Sequence, residues 1–410
     1  MQFNEIIAQK ELKNHLVQMV QKNRLSHALL FLGHEGSGSL PLAIAFAQYI
    51  LCEKVNPRKK QEAVSLFGDS PVENKPALME DSCGVCSSCI KVNQLIHPDL
   101  HFSYPAIKKD SNHTKVLSTD YIAEWREFIE QHPYGNVTGW LDFLKENPKA
   151  KIDSPANKQG NITVNECDDI SRKLSLKSFE GNYKILIMWM PEFLAAAGNK
   201  LLKLIEEPPA NTIFILVASD DSAILPTILS RTQLIKVPLF SDAEIEKALI
   251  EKEIAPDKAI QIAAIAEGNY LEALKLLQNT EEDWEEAIRS WLNVIWKRNT
   301  NAQLKWIEDI SKLGREKQKQ FLKYFIHLLQ QALKVRYLPD ENLESISTEQ
   351  KDFAQRLNNM CSMEAQEAIV NELEKAMYYI ERNAHGKMLF HALTIRLYHI
   401  IKENSLILVN

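Results

Sequence analysis

The sequence has no long apolar run. Its longest, "LPLAIAFAQYILC" at 40–52 and "ILIMWM" at 185–190, fall well short of the ~20 residues a helix needs to cross a bilayer. The opening stretch "MQFNEIIAQKELKN" lacks an apolar signal core, which argues against secretion. There is no excess of positive charge: 48 Lys and Arg against 54 Asp and Glu leave a formal charge of -6. Nothing global therefore draws the chain to nucleic acid, and any such contact needs a local patch. No short-period internal repeat recurs. These absences lead us to expect a soluble cytosolic protein without a membrane role.

The rest of the composition is that of an ordinary globular chain, 45% hydrophobic and 25% charged. At 410 residues it is too long for one core, so two or three domains are expected. Ile6, Ile7, Leu12, Leu16 and Met19 make a helical stripe, followed by the buried strand "HALLFLG". The segment 40–52 is apolar nearly all round, as expected of a helix buried against a sheet. "YKILIMWM" (183–190) and "TIFILVAS" (212–219) read as buried strands, with a helix over 196–207 between them that Pro208-Pro209 stops. "LPTILSR" (225–231) reads as a short helix with proline near its start, and "TQLIKVPL" as the strand after it. Buried strands alternating with helices imply a parallel sheet covered on both faces. Residues 105–160 read as irregular, although Tyr121, Trp125, Phe128, Trp140 and Phe143 argue against disorder. From about 240 no further strand is expected. Residues 241–279 form a small helical unit, and 282–404 carry long helical patterns with Trp284, Trp291 and Trp296.

Between the first strand and its helix stands "GHEGSGSL", residues 33–40. Gly33 and Gly38 have the spacing of the phosphate-binding P-loop, G-x-x-x-x-G-K-[ST]. In that loop the lysine neutralises the β/γ-phosphates and the hydroxyl holds Mg²⁺. Here those two positions are Ser39 and Leu40. An ATPase of this kind also ends its second strand in Asp-Glu, whereas this chain has Met188 and Trp189 there, with Glu192 several residues late and expected in a solvated loop. Two separate losses point to a chain that does not hydrolyse ATP.

"CGVCSSC" sets Cys83, Cys86 and Cys89 at C-x₂-C-x₂-C, and Cys52 at the end of the post-loop helix supplies a fourth thiolate. In a cytosolic chain such a cluster reads as a metal site rather than as disulfides. Four thiolates close a tetrahedral Zn²⁺ shell, which makes the ion structural. His97 and His101 lie downstream as alternative fourth ligands, while Cys167 and Cys361 read as ordinary helix residues. Arg231, at the end of a short helix just before a strand, sits where an oligomeric ATPase projects an arginine into its neighbour's site. The plain alternative is a surface or carboxylate-paired arginine.

Taken in order, "HALLFLG", the degenerate loop, the Cys52/Cys83/Cys86/Cys89 module, "IHPDL", "NKLLKLIEEPP", "LPTILSR" and "RNAHGKMLFHALTIRL" (382–397) resemble the delta prime family of bacterial DNA polymerase III clamp-loader subunits, within the AAA+ proteins. The family's Ser-Arg-Cys signature appears as Ser230-Arg231-Thr232, and the lid arginine of G-S-x-R is replaced by Leu271. The resemblance implies an α/β AAA+ domain over 1–239, with a zinc module at 52–89 and an insertion at 105–160. A helical lid at 240–280 and an all-α collar at 281–410 follow. It further implies a rigid stator that binds no ATP and offers Arg231 in trans as an arginine finger. Its partners would be gamma/tau-type and delta-type subunits and, indirectly, the sliding clamp and primed DNA, in the cytoplasmic replisome at the nucleoid. As a subunit of a polymerase holoenzyme it would have no ATPase activity of its own. Two rival readings remain: an active AAA+ ATPase of replication or recombination, and a zinc-bearing scaffold with no role in any ATP site.

Overall fold

The computed structural model describes residues 1–57, 79–110, 112–152, 160–278, 284–297, 300–337 and 348–403. Much of the cysteine module (58–78) and the end of the insertion (153–159) therefore lie outside the described residues. The chain divides into two compact units. The first is Met1–Ile245 with Gly268–Leu271, and the second is Glu246–Glu267 with the described residues from Glu272 on.

The first unit is built on a five-stranded sheet in the order β2-β3-β4-β1-β5, from β1 (Ala28–Leu32), β2 (Leu100–Ser103), β3 (Lys184–Trp189), β4 (Thr212–Ala218) and β5 (Gln233–Lys236). Every pairing is parallel; Leu30 lies opposite Leu216 and Leu234, and Ile187 opposite Ile215. Successive strand side chains point to opposite faces, and the core divides accordingly. Leu29, Phe31, Ile185, Ile187, Ile213 and Ile215 face one layer. Leu30, Leu186, Met188, Phe214 and Leu216 face the other. Burial on both sides explains why β1, β3 and β4 read as unbroken apolar runs. β5 is an edge strand with only Ile235 buried, and its exposed Gln233 and Lys236 blunt that edge.

After α1 (Lys10–Gln21), α2 (Ser39–Leu51) packs on the first face with all its residues buried, as its all-round apolar sequence requires. α3 (Ser87–Asn93) follows the cysteines. The stretch after β2 is not irregular: it forms α4 (Ile122–Gln131) and α5 (Val137–Glu146). Trp125 and Phe128 of α4 and Trp140 and Leu144 of α5 are fully buried. Pro133 and Pro148 bound these short helices, and Asn136 caps α5 by accepting the Gly139 N–H at 2.9 Å. α6 (Val164–Ser175) lies on the opposite face through Cys167, Ile170 and Leu174. The helix expected over 196–207 is instead a 3₁₀ stretch, Pro191–Leu201, leading into α7 (Leu202–Glu206). α8 (Pro226–Leu229) has its proline in the first turn.

Beyond Lys236 the described residues contain no strand. There are α9 (Asp242–Ile250), α10 (Pro256–Ala266), α11 (Tyr270–Gln278), α12 (Trp284–Lys297), α13 (Thr300–Lys312), α14 (Arg315–Tyr337), α15 (Thr348–Met360), α16 (Met363–Glu381) and α17 (Gly386–Glu403). The second unit has Trp291 at its centre, stacked on Trp306 at 4.6 Å and donating its indole N–H to Thr394 Oγ1 at 3.0 Å. Among the described residues no helix is long and apolar enough to cross a membrane.

Candidate functional site

The glycine loop joins β1 to α2. Gly33 N–H donates to Ala218 O at 3.1 Å, Ser37 N–H closes a turn on His34 O at 3.1 Å, and Gly38 caps α2. Gly36 and Gly38 have φ of +76° and +80°, a region L residues enter at a cost. Space is also tight: a Cβ on Gly36 would fall 1.9 Å from Asn269 Oδ1, and one on Gly38 would fall 2.9 Å from Tyr134 Cε1. Backbone conformation and close packing thus demand glycine here with no ligand involved. The Ser39 hydroxyl lies 3.2 Å from that of Ser37, and Leu40 is buried under the helix. Among the described residues no lysine or arginine lines the adjoining cavity, whose volume is about 40 Å³, room for a water or two.

The end of β3 carries no acidic pair. Met188 is fully buried in the second face, and Trp189 packs 5.2 Å from the Trp125 ring and 6.3 Å from Phe128. Tyr104 stacks on Trp125 at 4.0 Å, and Trp140 meets it edge-on at 5.2 Å, so Trp189 completes an aromatic cluster built from the insertion. Glu192 is not a solvated loop carboxylate. One of its oxygens accepts the N–H groups of Ser219 and Asp220 at 2.6 and 2.9 Å, pinning the end of β4. Leu271 is half-buried and supplies no charge.

Arg231 follows α8, its N–H bonded to Ile228 O at 3.1 Å. Its guanidinium is ion-paired with Glu206 at the end of α7, and Nη1 donates to Thr227 O at 2.9 Å and Ser230 Oγ at 3.1 Å. The pair is about 40% exposed on both sides, at 36% and 43%. Arg231 thus has the geometry of the plain alternative, a carboxylate-paired arginine at the surface.

The four cysteines converge. Cys52 ends α2, Cys83 and Cys86 flank a turn at Gly84 (φ +70°), and Cys89 is in the first turn of α3. Their sulfurs lie within 4.8 Å of one another, with Cys83 Sγ and Cys89 Sγ 3.9 Å apart. A tetrahedral ion with ~2.3 Å bonds to sulfur sets its ligands about 3.8 Å apart, so the donors fit. Backbone N–H groups of Cys83, Cys86 and Cys89 each point at the sulfur of the preceding cysteine of the set, Cys52, Cys83 and Cys86, all at 3.4 Å. Such donors favour thiolates. Cys52 is pulled down to about 4 chiefly by the hydrogen bond from Cys89, whose own thiol is correspondingly pushed up. Four sulfurs at this spacing cannot all ionise without a cation. His97 is committed elsewhere, with Nε2 2.9 Å from Ser88 Oγ and Nδ1 accepting the Asp99 N–H at 3.1 Å. Among the described residues the metal-ligand group comprises Cys52 and neither histidine.

Sequence reading missed Tyr134, Asn136 and Glu206. Glu206 is 25 residues from its arginine, with no local pattern to link them. The stretch "HPYGN" fell within the residues read as irregular, and nothing in it signals that it reaches the glycine loop.

Residues 8–241 match the family described as DNA polymerase III, delta subunit. The delta prime subunit of DNA polymerase III from Bacillus subtilis is 26% identical over 266 residues, 65% of this chain and 58% of that protein. The Haemophilus influenzae delta prime subunit is 25% identical over 272 residues, 66% of this chain and 60% of that protein. The tau subunit of Escherichia coli is 24% identical over 314 residues, 75% of this chain and 36% of that protein. The chain thus spans about three fifths of the delta prime relatives' length. With more than half its residues inside the family match and these relatives beside it, the chain belongs to the DNA polymerase III delta prime family of clamp-loader subunits.

Proposed function

We propose that this chain is a non-hydrolysing AAA+ stator of a bacterial clamp loader, acting in DNA replication. The observation that carries the reading is the glycine-loop site: no lysine, no Mg²⁺-binding hydroxyl at position 40, no acidic pair after β3, and a cavity of about 40 Å³. A small-molecule site needs about 300 Å³ or more. The ATP belongs to neighbouring gamma/tau-type subunits, and Arg231 is offered to one of those sites from the end of α8. A delta-type subunit, the sliding clamp and primed DNA complete the cytoplasmic assembly. Residues 240–280 serve as lid, and 281–410 as the collar through which the subunits associate.

Zn²⁺ is the ion we assign to Cys52, Cys83, Cys86 and Cys89. It neutralises the clustered thiolates and closes the loop between α2 and α3. With no open position it takes no part in chemistry.

The Arg231–Glu206 ion pair favours one second reading, a scaffold in which the arginine is purely structural. Reconstitution with partner subunits decides between them. Clamp loading and DNA-stimulated ATPase should require this chain and fall when Arg231 becomes Ala, with assembly intact. Unchanged ATPase in an intact Arg231→Ala assembly leaves the scaffold.

A further inference from the structure

The insertion residues His132–Asn136 connect α4 to α5 and run across the mouth of the glycine loop. The Tyr134 ring lies against Gly38 and meets Tyr270 edge-on at 4.9 Å and Phe240 at 6.3 Å. Its hydroxyl accepts the Ile7 N–H at 3.1 Å. Asn136 donates from Nδ2 to Glu35 of the loop at 2.8 Å, while its Oδ1 caps α5. One side chain therefore joins the N-terminal segment, the glycine loop, and the segments at 240 and 270. A second ties the loop to the helix that follows.

We propose that this turn is a built-in occupant of the degenerate nucleotide site, with the Tyr134 ring standing where a phosphate-bearing ligand would have to enter. Three observations support it. The cavity left beside the ring is about 40 Å³ and is walled partly by Pro133, Tyr134, Gly135 and Asn136 of the turn itself. The turn is fixed at its base, since Gly135 N–H bonds to His132 O at 2.8 Å and a Cβ at 135 would strike Phe128 of the aromatic cluster at 2.6 Å. The loop is held from a further side by Gln9, whose amide donates to Ser37 O at 2.7 Å. An ordinary P-loop is ordered by wrapping a phosphate; this one is ordered by protein. The exclusion of nucleotide is thus steric as well as electrostatic, and restoring the lysine alone would not restore binding. This goes beyond the stator reading and stands or falls independently of what Arg231 does.

The test titrates Mg-ATP and Mg-ADP into four full-length proteins by calorimetry: wild type, Tyr134→Ala, Ser39→Lys/Leu40→Thr, and the triple variant. The triple variant should bind at least ~10-fold more tightly than Ser39→Lys/Leu40→Thr, and wild type and Tyr134→Ala should not bind. Equal binding by those two, or no binding by the triple variant, overturns the proposal. Amide exchange supplies a readout that needs no nucleotide: Tyr134→Ala should speed exchange across residues 33–38 at least ~10-fold while β1 and β4 stay protected. Unchanged exchange in the loop overturns it as well. If the alanine variants fail to fold, Tyr134→Leu keeps an apolar contact and takes their place in both measurements.

Discussion

If Arg231 serves a neighbour's ATP it must first leave Glu206, and the structure sets what that release costs. The pair is exposed at 36% and 43%. Surface ion pairs of this kind contribute about 0–1 kcal/mol, and the bonds from Nη1 to Thr227 O and Ser230 Oγ are readily replaced by water. A cost of about 1 kcal/mol is a factor of about 5 in occupancy. An arginine finger contributes ~10³–10⁵ in rate, so the gain exceeds the release cost by more than two orders of magnitude. Arg231→Ala should lower turnover at the one dependent site by ~10³ or more, while the other sites keep theirs. The expected signature is a partial loss of DNA-stimulated ATPase and a deeper loss of clamp loading. Arg231→Lys should not restore it, because a point ammonium lacks the planar fork that matches phosphate oxygens. Glu206→Gln should leave the rate unchanged or raise it by up to about 5-fold. The assay is single-turnover hydrolysis by reconstituted loader, with assembly checked by co-elution. A Glu206→Gln assembly as impaired as Arg231→Ala would refute the reasoning, because the pair would then itself be the functional unit.

Metal analysis of protein purified without chelator should find one Zn²⁺ per chain, and Cys86→Ser should lose it along with several degrees of thermal midpoint; unchanged metal content in that variant excludes the four-cysteine site. Gly38→Ala should cost about 1–2 kcal/mol in urea unfolding, since it combines φ +80° with a Cβ 2.9 Å from Tyr134; a neutral substitution would mean the loop relaxes freely. His327 of α14 is buried, with Nε2 2.7 Å from the Gln331 amide nitrogen, which donates to it. Burial, aided by Lys334, holds its pKa down to about 4, against 6.5 when unfolded. The folded unit needs this ring neutral, so its stabilisation is complete above pH 6.5 and is lost as pH falls toward 4. By pH 5 the loss is about 2 kcal/mol at ~1.4 kcal/mol per unit. Urea midpoints of the helical unit at pH 7 and 5 should show it, and His327→Leu should flatten the profile.

What the sequence made visible follows burial pattern. β1, β3, β4 and α2 were legible because burial on both faces, or all round, writes a continuous apolar run. β2 was not: its four residues Leu-His-Phe-Ser alternate, and it is a strand because β3 offers a paired edge. The insertion read as irregular because α4 and α5 are each ten residues long and bounded by prolines, too short to establish a helical period. The cap at Asn136 was the available signal for α5. In the candidate site, the close spacing of Cys83, Cys86 and Cys89 was local and therefore readable. Choosing Cys52 over His97 needed the fold, which commits both nitrogens of His97 elsewhere. Tyr134 could not have been foreseen, since its neighbours at 7, 38, 240 and 270 come together only in space.

Trp189 limits which single substitutions this strand end can accept. A carboxylate placed at position 189 would land among Trp125 and Phe128, where an unpaired charge costs several kcal/mol. That is a large share of the 5–15 kcal/mol that holds a domain together. Removing the insertion fails too, because it would leave Trp189 uncovered. A lone carboxylate at position 189 and a lone loss of its aromatic cover are thus each costly, so the strand end and the cluster that covers it constrain one another.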